Sequence, residues 1–477
     1  MHTVGDAARI GPMRAREWGE RAHNRRLDGV NERALVKQLL GRPDGAVSVS
    51  GWVETVRDQK KVQFIVLRDE SGAVQLVNPA TRELPEGEAP TAEASAALAL
   101  TETISHLTQG TFLTVHGELK HDERVKLGGV EVKISTLDVA APALPENPIA
   151  VDSGLDKRMD WRFLDLRQER NNLIFRVQTT LEHAMRTYWI ERDYIEVHSP
   201  KLMASASESN AELFALEYFD TTAYLAQSPQ FYKQMAQSAG FGKIFEIGDV
   251  YRADPSFTSR HATEFTSVDA EISWIDSHED VARMQEELLA FAIAAVKEKH
   301  GDDIERLFGL TVEVPSLPFP RIPLAEALEI VAARGHEILR ADGDLDPEGE
   351  RQISAHVKEA LGHDFVYITD YPAHIRAFYH MRDEETGLTK SYDLLYKGVE
   401  ITTGAQREHR VDVLIEQAKE KGLDPAGLEF YFDFFRYGVP PHGGFGMGLA
   451  RLLMLLLGES SIREVTYLFR GPTRLQP

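Results

Sequence analysis

Four stretches of the chain carry residue types at spacings suited to chemistry. In KIFEIGDVYRADPSFTSRHATEFTSVDAEIS (243–273), two apolar, strand-like runs flank a polar loop holding Arg252, Asp254, Arg260 and His261. Guanidinium groups near a hairpin tip suit a polyphosphate, because each binds phosphate oxygens bidentately. Asp269 and Glu271 alternate on the return strand, so they share a sheet face, where carboxylates are costly unless they bind something. In SYDLLYKGVEITTGAQR (391–407), Asp393 and Glu400 are hard oxygen ligands and Thr403 adds a hydroxyl. That set fits magnesium on substrate phosphates, and fits two exposed acids equally well. PPHGGFGMGLAR (440–451) runs from glycines into an apolar helix bearing Arg451. It reads either as a ligand-approach loop at a helix N-terminus or as a plain turn. In AQSPQFYKQ (226–234), Gln230 and Lys233 lie three apart on the first turn of a helix after Pro229, downstream of a polar loop with Glu208. A lysine there either selects a substrate carboxylate or sits in solvent.

These stretches need a scaffold. Val47–Val56, Val62–Arg68, Val74–Val77, Thr111–Leu119 and Val130–Val139 read as five short strands, a small barrel of the oligonucleotide-binding type. Leu84–Leu98 reads as a loop or short helix inserted in it. Residues 1–45 form an arginine-rich lead, read as a surface or disordered extension with an RNA-contacting arm as the alternative. Pro142–Pro148 marks the boundary, giving an extension (1–45), a barrel (46–143), a hinge (144–168) and a large domain (169–477). In the large domain Ile174, Val177, Leu181, Ala184 and Tyr188 recur at helical spacing. Strands at Tyr194–Val197, Tyr224–Ala226, Ile244–Tyr251 and Phe265–Ser273 mix with helices at Glu279–Lys299 and Val411–Lys421. Without a regular βαβ rhythm, this predicts an α+β domain around an antiparallel sheet.

Composition narrows the class. The 477 residues carry a net charge of −22 and no cysteine, which excludes disulfides, thiolate metal sites and cysteine nucleophiles. The acidic balance argues against a basic nucleic-acid coat but leaves room for a local basic groove. The most apolar stretch, Leu449–Gly458, is short and interrupted by Arg451, so no membrane span is expected. Arg9, Arg14, Arg16 and Arg21 have no apolar run behind them, unlike a secretory signal, and a cytoplasmic enzyme is expected. The glycine run lacks the third glycine of a dinucleotide fingerprint, and neither a Walker lysine loop nor a serine elbow is present.

Taken in order, these stretches resemble the three signature motifs of class II aminoacyl-tRNA synthetases. The helix-strand run ending at Pro200 resembles motif 1, a dimer-interface element; Tyr251–Glu271 resembles motif 2 and Gly443–Arg451 motif 3. WRFLDLR (161–167), QSPQFYKQ (227–234), YDLLYKGVEITTGAQREHR (392–410), EFYFDFFRYGVPPHGGFGMGLARL (429–452) and SIREV (461–465) are similar to the archaeal and eukaryotic aspartyl-tRNA synthetase family. The stretch from Asp269 to Gly443 is too short for the extra domain that common bacterial members insert there.

The resemblance implies ATP and L-aspartate as substrates, Mg2+ as cofactor, tRNA(Asp) as acceptor with tRNA(Asn) left open, and a homodimer through motif 1. By the same resemblance Arg252 and Arg451 are catalytic, and ATP also meets Asp254, Arg260, His261, Phe265 and Glu400. Asp393, Glu400 and Thr403 fall to the metal. Lys233 and Arg407 clamp the aspartate carboxylate with Asp269 behind them, while Gln230 and Glu208 read its α-amino group. Phe64, Gln75 and Glu131 fall to the anticodon. Three departures imply a divergent copy, tolerant of an adenylate-mimicking inhibitor. Ser209-Asn210 replaces the glycines after Glu208, Asp254 replaces a glutamate, and the tail YLFRGPTRLQP lacks the usual string. The rivals are an asparaginyl-tRNA synthetase, against which Lys233 argues because a cation suits a carboxylate, and an inactive regulatory paralogue.

Overall fold

The computed structural model describes residues 33–83, 91–150, 152–205 and 213–477. Two compact units divide between Ala150 and Val151.

The first unit is a closed barrel of β1 (Gly45–Asp58), β2 (Val62–Asp69), β3 (Gly72–Pro79), β4 (Phe112–His121) and β5 (Val130–Ala141), in the order β1-β2-β3-β5-β4. Alternation of buried and outward residues builds it, most regularly on β2. On β2, Gln63, Ile65, Leu67 and Asp69 are buried while the residues between them are half-exposed. Ile65 and Leu67 meet Val49, Val74, Leu76, Val115 and Val132 in one core. Of the expected insertion, residues 84–90 lie outside the described residues, and the rest enters a helix, Ala92–Ser105, whose N-cap Thr91 accepts a bond from the Ala94 amide. The last part of the expected extension belongs to the barrel as well. Ala34, Val36 and Leu39 are buried in its core, and a strand already begins at Gly45. The proposed arm at residues 1–32 lies outside the described residues.

The second unit is built on an eight-stranded sheet: β6 (Ile195–Glu196), β10 (Lys243–Tyr251), β11 (Glu264–Ser273), β12 (Arg321–Pro323), β13 (Phe365–Pro372), β14 (Leu388–Tyr396), β15 (Val399–Gln406) and β16 (His442–Gly448). Their order is β12-β13-β14-β15-β16-β11-β10-β6, antiparallel except at the two outer pairs. A small sheet of β7 (Leu202–Met203), β8 (Ala215–Tyr218) and β9 (Thr221–Leu225) stands apart from it. The helix Glu169–Ile190 buries Ile174, Val177, Leu181, Ala184 and Tyr188, the periodic stripe, in the core shared with the helix His278–Phe308. Fold class is therefore α+β, as expected.

Two expectations change. The stretch 144–168 is not a hinge throughout. Leu155–Asp160 and Arg162–Asp165 are helical, and buried Arg162 pairs with Asp165 at 2.5 Å and donates to the Glu464 and Thr466 carbonyls. A buried, hydrogen-bonded ion pair of this kind fixes the segment to its own unit. The glycine run, read as a loop or turn, is instead the central strand β16, paired with β11 and β15. Glycine weakens strands in general, but here neighbours demand it. A Cβ on Gly444 would stand 2.2 Å from Glu271 Oε2, and one on Gly446 would stand 3.0 Å from Asp269 Oδ1.

Candidate active site

One cleft of about 910 Å3 is lined by Gln230, Lys233, Arg252, Asp254, Arg260, His261, Phe265, Asp269, Glu400, Thr403, Arg407 and Arg451. They come from the helix Gln230–Ser238, the β10–β11 hairpin, β15 and its end, and the helix Leu449–Leu456. The sheet order explains the gathering, since β15, β16 and β11 are neighbours although far apart in the chain. Glu208 lies outside the described residues.

The floor of the cleft is buried and ionic. Lys233 Nζ donates to Asp269 Oδ1 and to the Phe445 carbonyl, both at 3.0 Å, and stands 3.5 Å from Glu271 Oε2. Arg407 donates from Nε to Glu271 Oε1 at 2.9 Å, and from Nη2 to Glu271 Oε2 and the Gly444 carbonyl. Lys233, Arg407, Asp269 and Glu271 are each at most 3% exposed. Burial pushes the Glu271 carboxyl up, but Arg407 and Lys233 together hold it below its ordinary value. Arg407 Nη1 makes no hydrogen bond among the described residues, so a two-proton donor edge is left beside the lysine. That arrangement can bind a carboxylate through charge-assisted bonds in a place with little water.

The opposite end of the cleft is arginine-rich. Arg252 lies over the Phe265 ring, 5.5 Å from its centroid, with Nε 3.5 Å from the Gln227 carbonyl. Arg451 Nη1 donates to the Glu400 carbonyl at 2.7 Å. Arg260 faces the cleft but spends Nη1 on Glu350 Oε2 at 2.7 Å; nothing in the linear pattern around Glu350 singles it out as that partner. His261 stands 3.8 Å from Asp254 and bonds Thr258 and Ser256. Its burial, with Arg451 nearby, holds the imidazole below its usual value. Such an end suits an anionic, planar-ringed ligand: guanidiniums for phosphates, Arg252 and Phe265 for stacking.

Between the two ends, Thr403 Oγ1 lies 2.8 Å from Asp393 Oδ1 and 3.4 Å from Glu400 Oε1. Asp393 sits behind the cleft wall, its Oδ2 paired with buried Arg376 at 2.8 Å. No group of three histidine or acidic ligands occurs among the described residues. Two carboxylates and a hydroxyl so arranged have the chemistry for a magnesium ion that takes most of its ligands from phosphates and water.

The structure also joins the three barrel residues. Gln75 Nε2 donates to Glu131 Oε2 at 2.9 Å, Arg57 donates to Gln75 Oε1 at 3.2 Å, and the Arg57 guanidinium covers the Phe64 ring. Phe64 is half-exposed and outside the barrel core. Arg57 was not anticipated; its position six residues before the β2 phenylalanine's neighbour gives no signal until the β1–β2 register, Arg57 opposite Phe64, is known.

Comparison with known proteins agrees. Residues 154–470 match the family model of tRNA synthetases class II (D, K and N), and residues 47–140 match that of the OB-fold nucleic acid binding domain. The chain is 40% identical over 452 residues to the Aspartate–tRNA(Asp/Asn) ligase of Aeropyrum pernix, covering 93% of this chain and 98% of that one. It is 39% identical over 447 residues to the Aspartate–tRNA(Asp) ligase of Pyrococcus abyssi, with 93% and 98% covered. Among solved structures, the asparaginyl-tRNA synthetase of Pyrococcus horikoshii bound to asparaginyl-adenylate superposes with a TM-score of 0.84 at 31% identity, covering 94% of this chain and all of that one. The asparaginyl rival thus shares the fold, while the higher identities go to aspartate ligases. The chain belongs to the class II tRNA synthetases of the D, K and N group, among the aspartate–tRNA ligases.

Proposed function

We propose that the cleft activates L-aspartate with ATP and passes it to the terminal adenosine of tRNA(Asp). The observation that carries this is the floor: Lys233 and the free edge of Arg407 side by side, buried, with their other donors taken by Asp269, Glu271 and two carbonyls. An asparagine amide would place a donor against these donors, and a mismatched buried polar group discriminates strongly. The aspartate α-carboxylate attacks the α-phosphorus of ATP and pyrophosphate leaves; the adenosine hydroxyl then attacks the adenylate carbonyl, the bond to the phosphate oxygen breaks, and AMP leaves as the hydroxyl proton is lost. Arg252 steadies the α-phosphate while Arg451 and His261 bracket the nucleotide, so positioning and charge stabilisation do most of the work. Asp393, Glu400 and Thr403 would hold Mg2+, which would neutralise phosphate charge there.

In this reading Phe64, Gln75 and Glu131 meet the anticodon by stacking and hydrogen bonding. The helix Glu169–Ile190 and the strand after it join two copies in a homodimer, observable as a dimer mass in solution by light scattering, and the enzyme works in the cytoplasm. No described helix is long and apolar enough to cross a membrane. A second acceptor, tRNA(Asn), is favoured by the Asp/Asn name of the Aeropyrum pernix relative. Asp254 and the rearranged tail, whose Arg470 carbonyl accepts from Thr263 beside motif 2, support the divergent adenylate site. An aspartyl-sulfamoyl-adenosine inhibition constant equal to that of an ordinary synthetase would remove that idea. The main test is charging of purified tRNAs with labelled aspartate: tRNA(Asp) is acylated, and failure with aspartate, or charging with asparagine instead, overturns the reading.

A further inference from the structure

The Gln230 side chain reaches the cleft from a line of fully buried polar groups that motif comparison leaves without a role. Gln230 Nε2 lies 2.9 Å from Gln234 Oε1, which also accepts from the Tyr431 hydroxyl at 2.8 Å. Gln234 Nε2 faces His442 Nε2 at 3.1 Å, and His442 Nδ1 faces the Pro440 carbonyl at 2.9 Å. Gln234, Tyr431 and His442 show no exposed surface, and Gln230 is 4% exposed.

The donor directions along this line follow from its far end. A carbonyl only accepts, so His442 Nδ1 carries a proton. Burial pushes the His442 imidazole down to about 4, with the Glu271 charge opposing and Arg407 and His409 reinforcing, so the ring holds a single proton at pH 7. Its Nε2 is then a lone pair and needs a donor, which turns the Gln234 amide nitrogen towards it. The Gln234 oxygen must in turn face Tyr431 and Gln230. The Gln230 nitrogen is thereby committed to Gln234, and its oxygen is the atom left for the cleft.

We propose that His442 and Gln234 are positioning residues that lock the Gln230 amide with its oxygen towards the substrate, making it an acceptor for the α-ammonium of aspartate. The proposal rests on the reading of Gln230 as the residue that meets that group. Without the lock, the Gln230 amide flips at little cost and presents N–H groups to a cation, which repels it. His442 acts through two side chains and touches no substrate.

The test compares inhibition of ATP–pyrophosphate exchange by aspartyl-sulfamoyl-adenosine and by its counterpart lacking the α-amino group. The wild type prefers the amino compound. Gln230→Ala loses about ten- to a hundredfold of that preference, the worth of one hydrogen bond to a charged group. His442→Phe loses a similar amount, His442→Gln restores it by supplying an acceptor near the Nε2 position, and the KM for ATP stays put. If Gln230→Ala keeps the preference, the reading of Gln230 itself is wrong. If Gln230→Ala loses it while a folded His442→Phe keeps it, the lock is wrong and the reading survives. Nitrogen-15 NMR of the wild-type enzyme decides the matter even where the phenylalanine variant does not fold. The Nδ1–H tautomer of His442 is expected at neutral pH, and the Nε2–H tautomer overturns the lock.

Discussion

The cleft floor and the outer face of the barrel are made from the same ingredients in opposite settings. In the floor, Lys233, Asp269, Glu271 and Arg407 form a chain of ion pairs with almost no solvent exposure. On the barrel, Arg57 and Glu131 are joined by hydrogen bonds through the neutral Gln75 amide, with the Arg57 guanidinium over the half-exposed Phe64 ring. Buried charges are fixed because any one left alone is heavily penalised, whereas surface pairs cost little to make or break. A site that must tell a carboxylate from an amide benefits from the first arrangement. A face that must accept flexible, unpaired bases benefits from the second.

The comparison can be broken most forcefully at Lys233. Lys233→Met strands Asp269 with a hydroxyl partner and Glu271 with Arg407 alone; breaking such a buried pair costs about 3–5 kcal/mol. A drop in kcat/KM for aspartate of about a thousandfold is expected, together with a lowered melting temperature, by pyrophosphate exchange and calorimetry. Arg407→Lys keeps the charge but loses the fork that spans Glu271, so a loss of about a hundredfold is expected in the same assay, chiefly in KM.

An intermediate effect concerns pH. Because the Glu271 carboxyl is depressed in the folded chain, it contributes stability above its unfolded value. That contribution disappears as pH falls through the folded value. Glu271→Gln is therefore less stable than wild type at pH 7, and the gap narrows steadily on acidification below about pH 4.3, the ordinary glutamate value. Urea melts across that range check it; a gap that widens in acid contradicts the assignment.

The smallest effects belong to the barrel. Phe64→Ala removes one stacking surface, worth about 1–3 kcal/mol per base, and is expected to raise the KM for tRNA while leaving pyrophosphate exchange unchanged. Arg57→Ala loses an exposed bond to Gln75, and a change of about 1 kcal/mol or less in tRNA binding is expected from a salt titration. An equal loss in both assays from Phe64→Ala would erase the distinction between the two regions.

The contrast also explains what was legible in the sequence. Local patterns were: the strand run of β2, the stripe of the helix Glu169–Ile190, and the placing of Asp269 and Glu271 on one face. Pairings made by the tertiary fold were not. Arg376 on Asp393, Glu350 on Arg260 and Arg57 over Phe64 join segments with no common periodicity. The glycines of β16 misled because intrinsic propensity argues for a turn, and only the neighbours crowding against them, the β11 carboxylates among them, make a glycine strand reasonable. Gln234 and His442 lay within recognised strings, yet their roles depend on amide and imidazole orientations that no linear pattern encodes.

The most direct test of the central claim, that two buried cations select a carboxylate, is ATP–pyrophosphate exchange by the purified wild-type chain with aspartate and asparagine in parallel. Rapid exchange with aspartate and none above background with asparagine is predicted. Exchange with asparagine at a comparable or greater rate would contradict it.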